Sequence, residues 1–319
     1  MRLVMKRALR RLAYPVAALL VAEIALAGPG CAQTKLTIGC TATSDCASAM
    51  VAVDQGLFAK HGLDARMVLI GINSNIPAAI VSDSVQIGGP TETVFLQAVD
   101  GGLDLVAVAG ASRMDPTAND AVAAFARNGT SLKEARDFVG KKVGAPGIGA
   151  FLQALFVKWL VEKGVDPKSV NFVEVTFPTM NDTLKSGAVD AVLTAEPFVT
   201  RMTKAGTGYV AVRYAAELAR TEPIISYVAT RDFARNNPEA IVAFRAAIAE
   251  AAEIVNGDRD KASASIAAFT KQPLEIVRLN RPNIAAPELK PEQLVWWLDV
   301  MKQQNLLQTE IDPKKIVLP

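Results

Sequence analysis

Two acids, Glu92 and Glu196, each end a short strand-like run and open a helical one. Facing each other across a cleft, paired carboxylates could do acid–base work. Held apart, they bind ligand or bridge two structural halves. The chain has a single histidine, His61, at a helix end before Gly62. A Ser-His-Asp triad would need His61, and no G-x-S-x-G elbow occurs. Without a second histidine, a histidine/cysteine zinc site is not expected, and no metal or cofactor is read from the chain. Cys40 and Cys46 lie close in sequence and, if the chain is exported, are expected to form a disulfide. The alternative is two small buried thiols.

The stretch 140–164 carries a different chemistry. Val143 to Ala145 reads as the end of a buried strand, and Pro146, Gly147 and Gly149 as a tight turn. From Ala150 a helix begins, with Phe151, Leu155 and Trp159 on one face and Gly164 as its stop. Bare N–H groups at the helix start, with the helix dipole, suit an anion. The expectation is an anionic solute end on the N–H groups of Gly149, Ala150 and Phe151, with Phe151 and Phe177 as apolar contacts. Arg113 is a second candidate for the same charge. An ordinary strand–helix connection would read the same way. The glycines run G-x-x-G-x-G, which is not the dinucleotide fingerprint, and no Gly-Lys-Ser/Thr phosphate loop occurs.

These residues need elements to position them, and the elements come in two similar sets. Strand-like runs centre on Ile38, Val68, Ile87 and Val106, then at nearly the same spacing on Val143, Val173, Ala191 and Ala211. The helices between them correspond: 47–61 with 150–163, 76–81 with 180–185, and 92–99 with 197–205. Such alternation predicts parallel α/β lobes, which bind ligands beyond the carboxyl ends of their strands. The residues just past each strand end are therefore the candidate ligand contacts. In the first half they lie in 41–46, 71–74, 90–92 and 111–113, with Thr43, Ser44, Asn73, Ser74, Thr91, Glu92, Ser112 and Arg113 as the selected contacts. In the second they lie in 147–151, 177–179 and 195–197, with Gly147, Gly149, Ala150, Phe151, Phe177, Thr179 and Glu196 selected. Small, hydroxyl and amide residues are common here, which suits a small polar molecule and also suits turns.

Strand-like runs at 121–127 and 224–230 would carry the chain out to the second lobe and back. Lobe 1 is then 33–121 with 226–319, and lobe 2 is 122–225. Ser131 and Glu134 suggest a capping box. Further helices are expected at 238–255, capped by Asn237 and stopped by Gly257, at 261–270, and at 291–304. This tail is expected to pack on the first lobe, with its tryptophans in the core.

The start of the chain reads as a secretory signal peptide over 1–32. Arg2, Lys6, Arg7, Arg10 and Arg11 precede an apolar run, and small residues come after it. Cleavage could fall after Ala27 or Ala32, and lipid attachment at Cys31 is a weaker alternative. Beyond residue 32 there are 29 basic and 31 acidic residues, so no basic excess points to nucleic acid.

A series of segments carries a resemblance. Lys35 to Gly39 is followed by Asp54-Gln55-Gly56-Leu57-Phe58-Ala59-Lys60-His61-Gly62-Leu63-Asp64. Val85-Gln86-Ile87-Gly88, Gly140-Lys141-Lys142-Val143-Gly144, and Gly187-Ala188-Val189-Asp190-Ala191 with Glu196-Pro197 continue it. Together they resemble periplasmic solute-binding proteins of the nitrate/sulfonate/taurine type. The resemblance implies a two-lobed type II periplasmic binding fold, a central cleft and a two-segment hinge. It implies a non-catalytic, monomeric carrier of a small anionic organic solute, handed to the permease and ATPase of an ABC importer. It also implies that the turn 147–151 holds the solute's anionic end, although here the turn is Gly147-Ile148-Gly149-Ala150, without the hydroxyls that many relatives have. The other readings of the chain are a secreted acid–base enzyme using Glu92 and Glu196, and an extracytoplasmic sensor domain.

Overall fold

The computed structural model describes residues 33–115, 121–280 and 283–319. The leader read at 1–32, with its cleavage points and Cys31, lies outside the described residues. The chain begins β1 Thr34–Cys40, α1 Ala47–Asp54, α2 Leu57–Lys60, β2 Leu63–Leu69, α3 Ile76–Val81, β3 Ile87–Gly88, α4 Glu92–Asp100 and β4 Leu105–Arg113. It continues β5 Val122–Arg127, β6 Lys142–Ala145, α5 Phe151–Glu162, β7 Asn171–Glu174, α6 Met180–Lys185, β8 Ala191–Ala195, α7 Phe198–Lys204, β9 Gly208–Val212 and α8 Tyr214–Leu218. It ends β10 Pro223–Thr230, α9 Arg231–Asn236, α10 Pro238–Gly257, α11 Arg259–Thr270, α12 Leu274–Val277, β11 Ile284–Ala285 and α13 Val295–Gln303.

The strands form two sheets, ordered β11-β4-β10-β3-β1-β2 and β7-β6-β8-β5-β9. Within each, the β-turn-α units pair in parallel, β1 with β2 and β3, and β6 with β7 and β8. The sheets are nevertheless mixed, not parallel throughout. β10 enters the first sheet antiparallel to β3 and β4, and β5 enters the second antiparallel to β8 and β9. The direction has a physical cause. A strand arriving from the other sheet enters at the carboxyl ends: Pro223 pairs with Arg113, and Val122 with Ala195. It must therefore run against its neighbours. β1 is buried along its last five residues, as befits a strand covered on both faces.

Helices cover the sheets where the apolar stripes required. Phe58 of α2 stacks on Phe244 of α10 at 5.5 Å, and Tyr227 of β10 meets that ring edge-on. The Tyr227 hydroxyl lies 2.8 Å from Ser48 Oγ and accepts the Ala49 N–H, tying β10 to α1. On the second sheet, Phe138, Phe156, Trp159 and Tyr214 form one aromatic cluster. α10 and α11 pack on α1, as the tail was expected to do. α13 also reaches α5: Gln304 donates to the Ala154 carbonyl at 2.8 Å, and Trp297 meets Phe151 edge-on at 5.6 Å.

Three local expectations are corrected. The helix expected over 47–61 is two helices, because Gly56 takes a left-handed φ of +68° and ends the first. Ser131 and Glu134 make no capping box; Asp137 accepts the N–H groups of Lys133 and Glu134 instead. Asn237 does stand at the N-cap of α10, which runs through Gly257, but its side chain donates to the Phe233 carbonyl and makes no cap bond. Asp258 then caps α11 by accepting the Lys261 N–H. Among the described residues, no helix is long and apolar enough to cross a membrane.

Candidate functional site

The turns beyond the strand ends of both sheets enclose one small cavity. From the first sheet come Thr41, Thr43 and Asp45 after β1, Asn73 after β2, Thr91 after β3, and Ile224 and Ile225 on β10. From the second come Val122 at the start of β5, Pro146, Ala150, Phe151 and Leu152 around the start of α5, Phe177 after β7, and Ala195 at the end of β8. Asn283 closes the ring from the tail. The space is about 30 Å³ for the centre of a water-sized sphere. That is well below the usual ~300–1,000 Å³ of drug-sized pockets and suits a small solute.

The polar wall is pre-arranged. Thr91 donates its N–H and hydroxyl to Asn73 Oδ1, at 2.9 and 3.2 Å. Asp45 receives the Thr43 hydroxyl on one oxygen and the Asn283 amide on the other, each at 2.6 Å. Desolvation raises the Asp45 pKa above its ordinary value, and those two donors act against the rise. The loop bearing Asp45 is short and anchored. Cys40 and Cys46 are joined in a disulfide, with their Cα atoms 6.6 Å apart. Gly89 lies under the bridge, where a Cβ would come 2.6 Å from the Cys46 sulfur.

Six of the residues singled out from sequence reach this wall: Thr43, Asn73, Thr91, Ala150, Phe151 and Phe177. The others do not line it. Ser44 opens a 3-10 turn beside Asp45. Ser74 is exposed, its hydroxyl 3.9 Å from where a Gly147 Cβ would stand. Thr179 is exposed and turned back on Thr176. Ser112 is buried in β4, and Arg113 stands at that strand's end between Pro223 and Ile284.

The expected anion cradle is not assembled as read. Gly149 does take a left-handed φ of +73°, but its N–H donates to Gln153 Oε1 at 2.5 Å. The Ala150 N–H turns to the Gly147 carbonyl, and the Ile148 N–H to Glu174. A glutamine one helical turn on thus takes a donor that the bare-turn reading left open. The Gly149 carbonyl accepts from Gln97 of α4, across the cleft, at 2.8 Å.

Glu92 and Glu196 are both held away from the cavity lining. Glu92 is fully buried at the start of α4, where it accepts the Ser226 hydroxyl while its other oxygen has no partner among the described residues. Burial pushes its pKa up to about 7, against the effect of Ser226. Glu196 accepts both the N–H and the hydroxyl of Thr200, one helical turn on. Neither lines the cavity. His61 pairs with Glu250 at the surface, 3.2 Å away. Among the described residues, no group of acids, histidines and cysteines could hold a metal ion.

Thr41, Asp45 and Ala195 fall within the segments 41–46 and 195–197 that the sequence marked as following strands, while Asn283 and the apolar residues Val122, Leu152, Ile224 and Ile225 were not read as ligand contacts. Asn283 had no local signal, since it meets Asp45 from far along the chain.

Residues 30–270 match the family model described as the NMT1-like family. The nitrate/nitrite binding protein NrtA of Synechococcus elongatus is 24% identical over 242 residues, which are 68% of this chain and 54% of that protein. The chain thus spans about half the length of this curated relative. Among solved structures, the alkanesulfonate-binding protein SsuA of Xanthomonas axonopodis pv. citri, bound to MOPS, superposes with a TM-score of 0.76. It is 17% identical, with 89% of this chain and 98% of that one covered. The periplasmic nitrate-binding protein NrtA of Synechocystis PCC 6803 gives 0.70 at 16% identity, covering 89% and 84%. The fold is therefore that of the periplasmic binding proteins.

Proposed function

The chain belongs to the NMT1-like family, and from that premise we propose that it is an extracytoplasmic solute-binding protein. It captures a small organic solute between two lobes and delivers it to the permease and ATPase of an ABC importer. The observation that carries this reading is the cavity walled by turns from both sheets, which a solute can complete as the lobes close. Lobe 1 is proposed as 33–121 with 226–319, and lobe 2 as 122–225. The names of the similar proteins, binding proteins for nitrate/nitrite and for alkanesulfonate, support delivery over turnover.

The acid–base alternative loses its motive, since Glu92 accepts from Ser226, Glu196 accepts from Thr200, and neither lines the cavity. The protein is proposed to be non-catalytic, monomeric and periplasmic, exported by the basic-apolar leader at 1–32. Deleting the gene should abolish uptake of the solute that copurifies with the protein, and restoring it should recover uptake. Unchanged uptake would count against delivery, and chemical conversion of that solute by the pure protein would count for an enzyme.

A further inference from the structure

The two walls of the cavity differ in kind. On the first-sheet side the polar Thr41, Thr43, Asp45, Asn73 and Thr91 stand beside Ile224 and Ile225, while Val122, Phe151, Leu152 and Phe177 make the facing side apolar. Asp45 is the one ionisable group among the described lining residues. Its orientation is fixed from both sides, by Thr43 on Oδ2 and Asn283 on Oδ1. A carboxylate offers about four acceptor positions, so these two donors and Asp45's own N–H leave capacity for one more partner.

We propose that Asp45 is the specificity-determining acceptor of this cavity, and that the solute is a small amphipathic molecule with an N–H donor head, an amine, amidine or amide. The head sits on Asp45 and the apolar body lies against Phe151 and Phe177. This rests on the reading of the cavity as a solute site, and it replaces the anionic solute expected from sequence.

Charge and desolvation both favour a donor over an anion here. An anion placed beside Asp45 would set two like charges in a space from which water is largely excluded. Among the described lining residues, no Lys, Arg or His offsets that repulsion. A donor head does the reverse, because it supplies the partner that a desolvated carboxylate needs. Of the three backbone donors assigned to an anion from sequence, those of Gly149 and Ala150 are engaged.

Three probes of one shape separate the cases: propionamidine, propionamide and propionate. Each is titrated calorimetrically into the mature chain, freed of copurifying solute, and into the variants Asp45→Asn and Asp45→Glu. The amidine should bind at least about tenfold more tightly than propionate, with the amide between them. Asp45→Asn should erase the amidine's advantage, and Asp45→Glu should restore part of it, with unchanged circular dichroism in both. Tighter binding of propionate, nitrate or ethanesulfonate than of the amidine would overturn the assignment while leaving solute delivery intact. An unchanged order in Asp45→Asn, or no heat with the amidine, would overturn it as well. Conversion of a bound probe into a product would instead sink the delivery reading and leave the role of Asp45 standing.

Discussion

Gln97 of α4 donates through Nε2 to the carbonyl of Gly149 at 2.8 Å, joining a helix on the first sheet to the turn before α5 on the second. The bond spans the cleft, so it exists only while the two sides are together. A neutral hydrogen bond contributes about 0.5–1.5 kcal/mol net. Gln97→Ala should therefore weaken solute affinity by up to about tenfold, read by calorimetry with the copurified solute, with little change in Tm. Gly149→Ala should do more. Its left-handed φ of +73° strains any side chain, and the new Cβ would stand 2.8 Å from Gln97 Nε2. Equal affinities for both variants and the parent would show that the bond does not hold the closed form.

The disulfide and Gly89 make a second test, this time of stability. A Cβ at Gly89 would fall 2.6 Å from the Cys46 sulfur and 2.9 Å from that of Cys40, with Ile225 at 3.3 Å. None of these neighbours is the loose end of a flexible chain, so Gly89→Ala should cost about 1–3 kcal/mol, as overpacking does. Reduction of the short Cys40–Cys46 loop should cost about 2 kcal/mol by chain entropy alone. It should also loosen Asp45 and lower affinity for the copurified solute. Thiol counting on the unfolded, oxidised mature chain should find both cysteines blocked, and two free thiols would remove the premise.

Much of the fold was legible because its period is written in the residues. Ile38, Val68 and Ile87, then Val143, Val173 and Ala191, all fall in strands, and the helices between them fall where Gly62, Gly101, Gly164 and Gly206 stop them. What was not legible is where long-range partners meet. Nothing local says that β10 inserts between β3 and β4, or that a tail asparagine finds Asp45. The site was half legible for the same reason. Residues just past a strand end, such as Thr43, Asn73 and Thr91, reach the cavity. Thr179 and Glu196, equally well placed in sequence, spend their polar atoms on their own turns. Gln153 could have been read, since it stands four residues beyond Gly149 on the helix that Gly149 introduces.

Glu92 should make the protein's stability depend on pH. Its folded pKa of about 7 exceeds the ordinary 4.5, because burial disfavours the charge. Between those values the native chain keeps a proton that the unfolded chain has lost, so stability falls as pH rises through the interval. The loss from this group is about 3 kcal/mol and is complete above pH 7. Glu92→Gln carries no such charge. Denaturant titrations at pH 5 and pH 8 should show the variant losing less stability between the two than the parent does. Parallel losses in both proteins would mean that Glu92 is solvated or paired in solution.

Closure of the lobes should be measurable in solution. The cavity is walled on both sides, by Thr43 and Asn73 from one sheet and by Phe151 and Phe177 from the other. Contacts across it include Gln97 with Gly149, Gln304 with Ala154, and Thr200 with Asn280 at 3.2 Å. A solute must enter a space so enclosed, and for that the walls must part. The chain passes between the two walls along β5, from Val122, and β10, from Pro223. Small-angle scattering should give a larger radius for the solute-free protein and a smaller one on adding the copurified solute. Trp297 offers an independent reading, since its ring meets Phe151 of the cavity wall and its Nε1 donates to the Pro223 carbonyl at 2.8 Å. Binding should change the tryptophan emission, and Trp297→Phe should remove most of that change while Trp159→Phe should not. An unchanged radius together with unchanged emission, at saturating and tightly bound solute, would mean that the cavity fills without any movement of the walls.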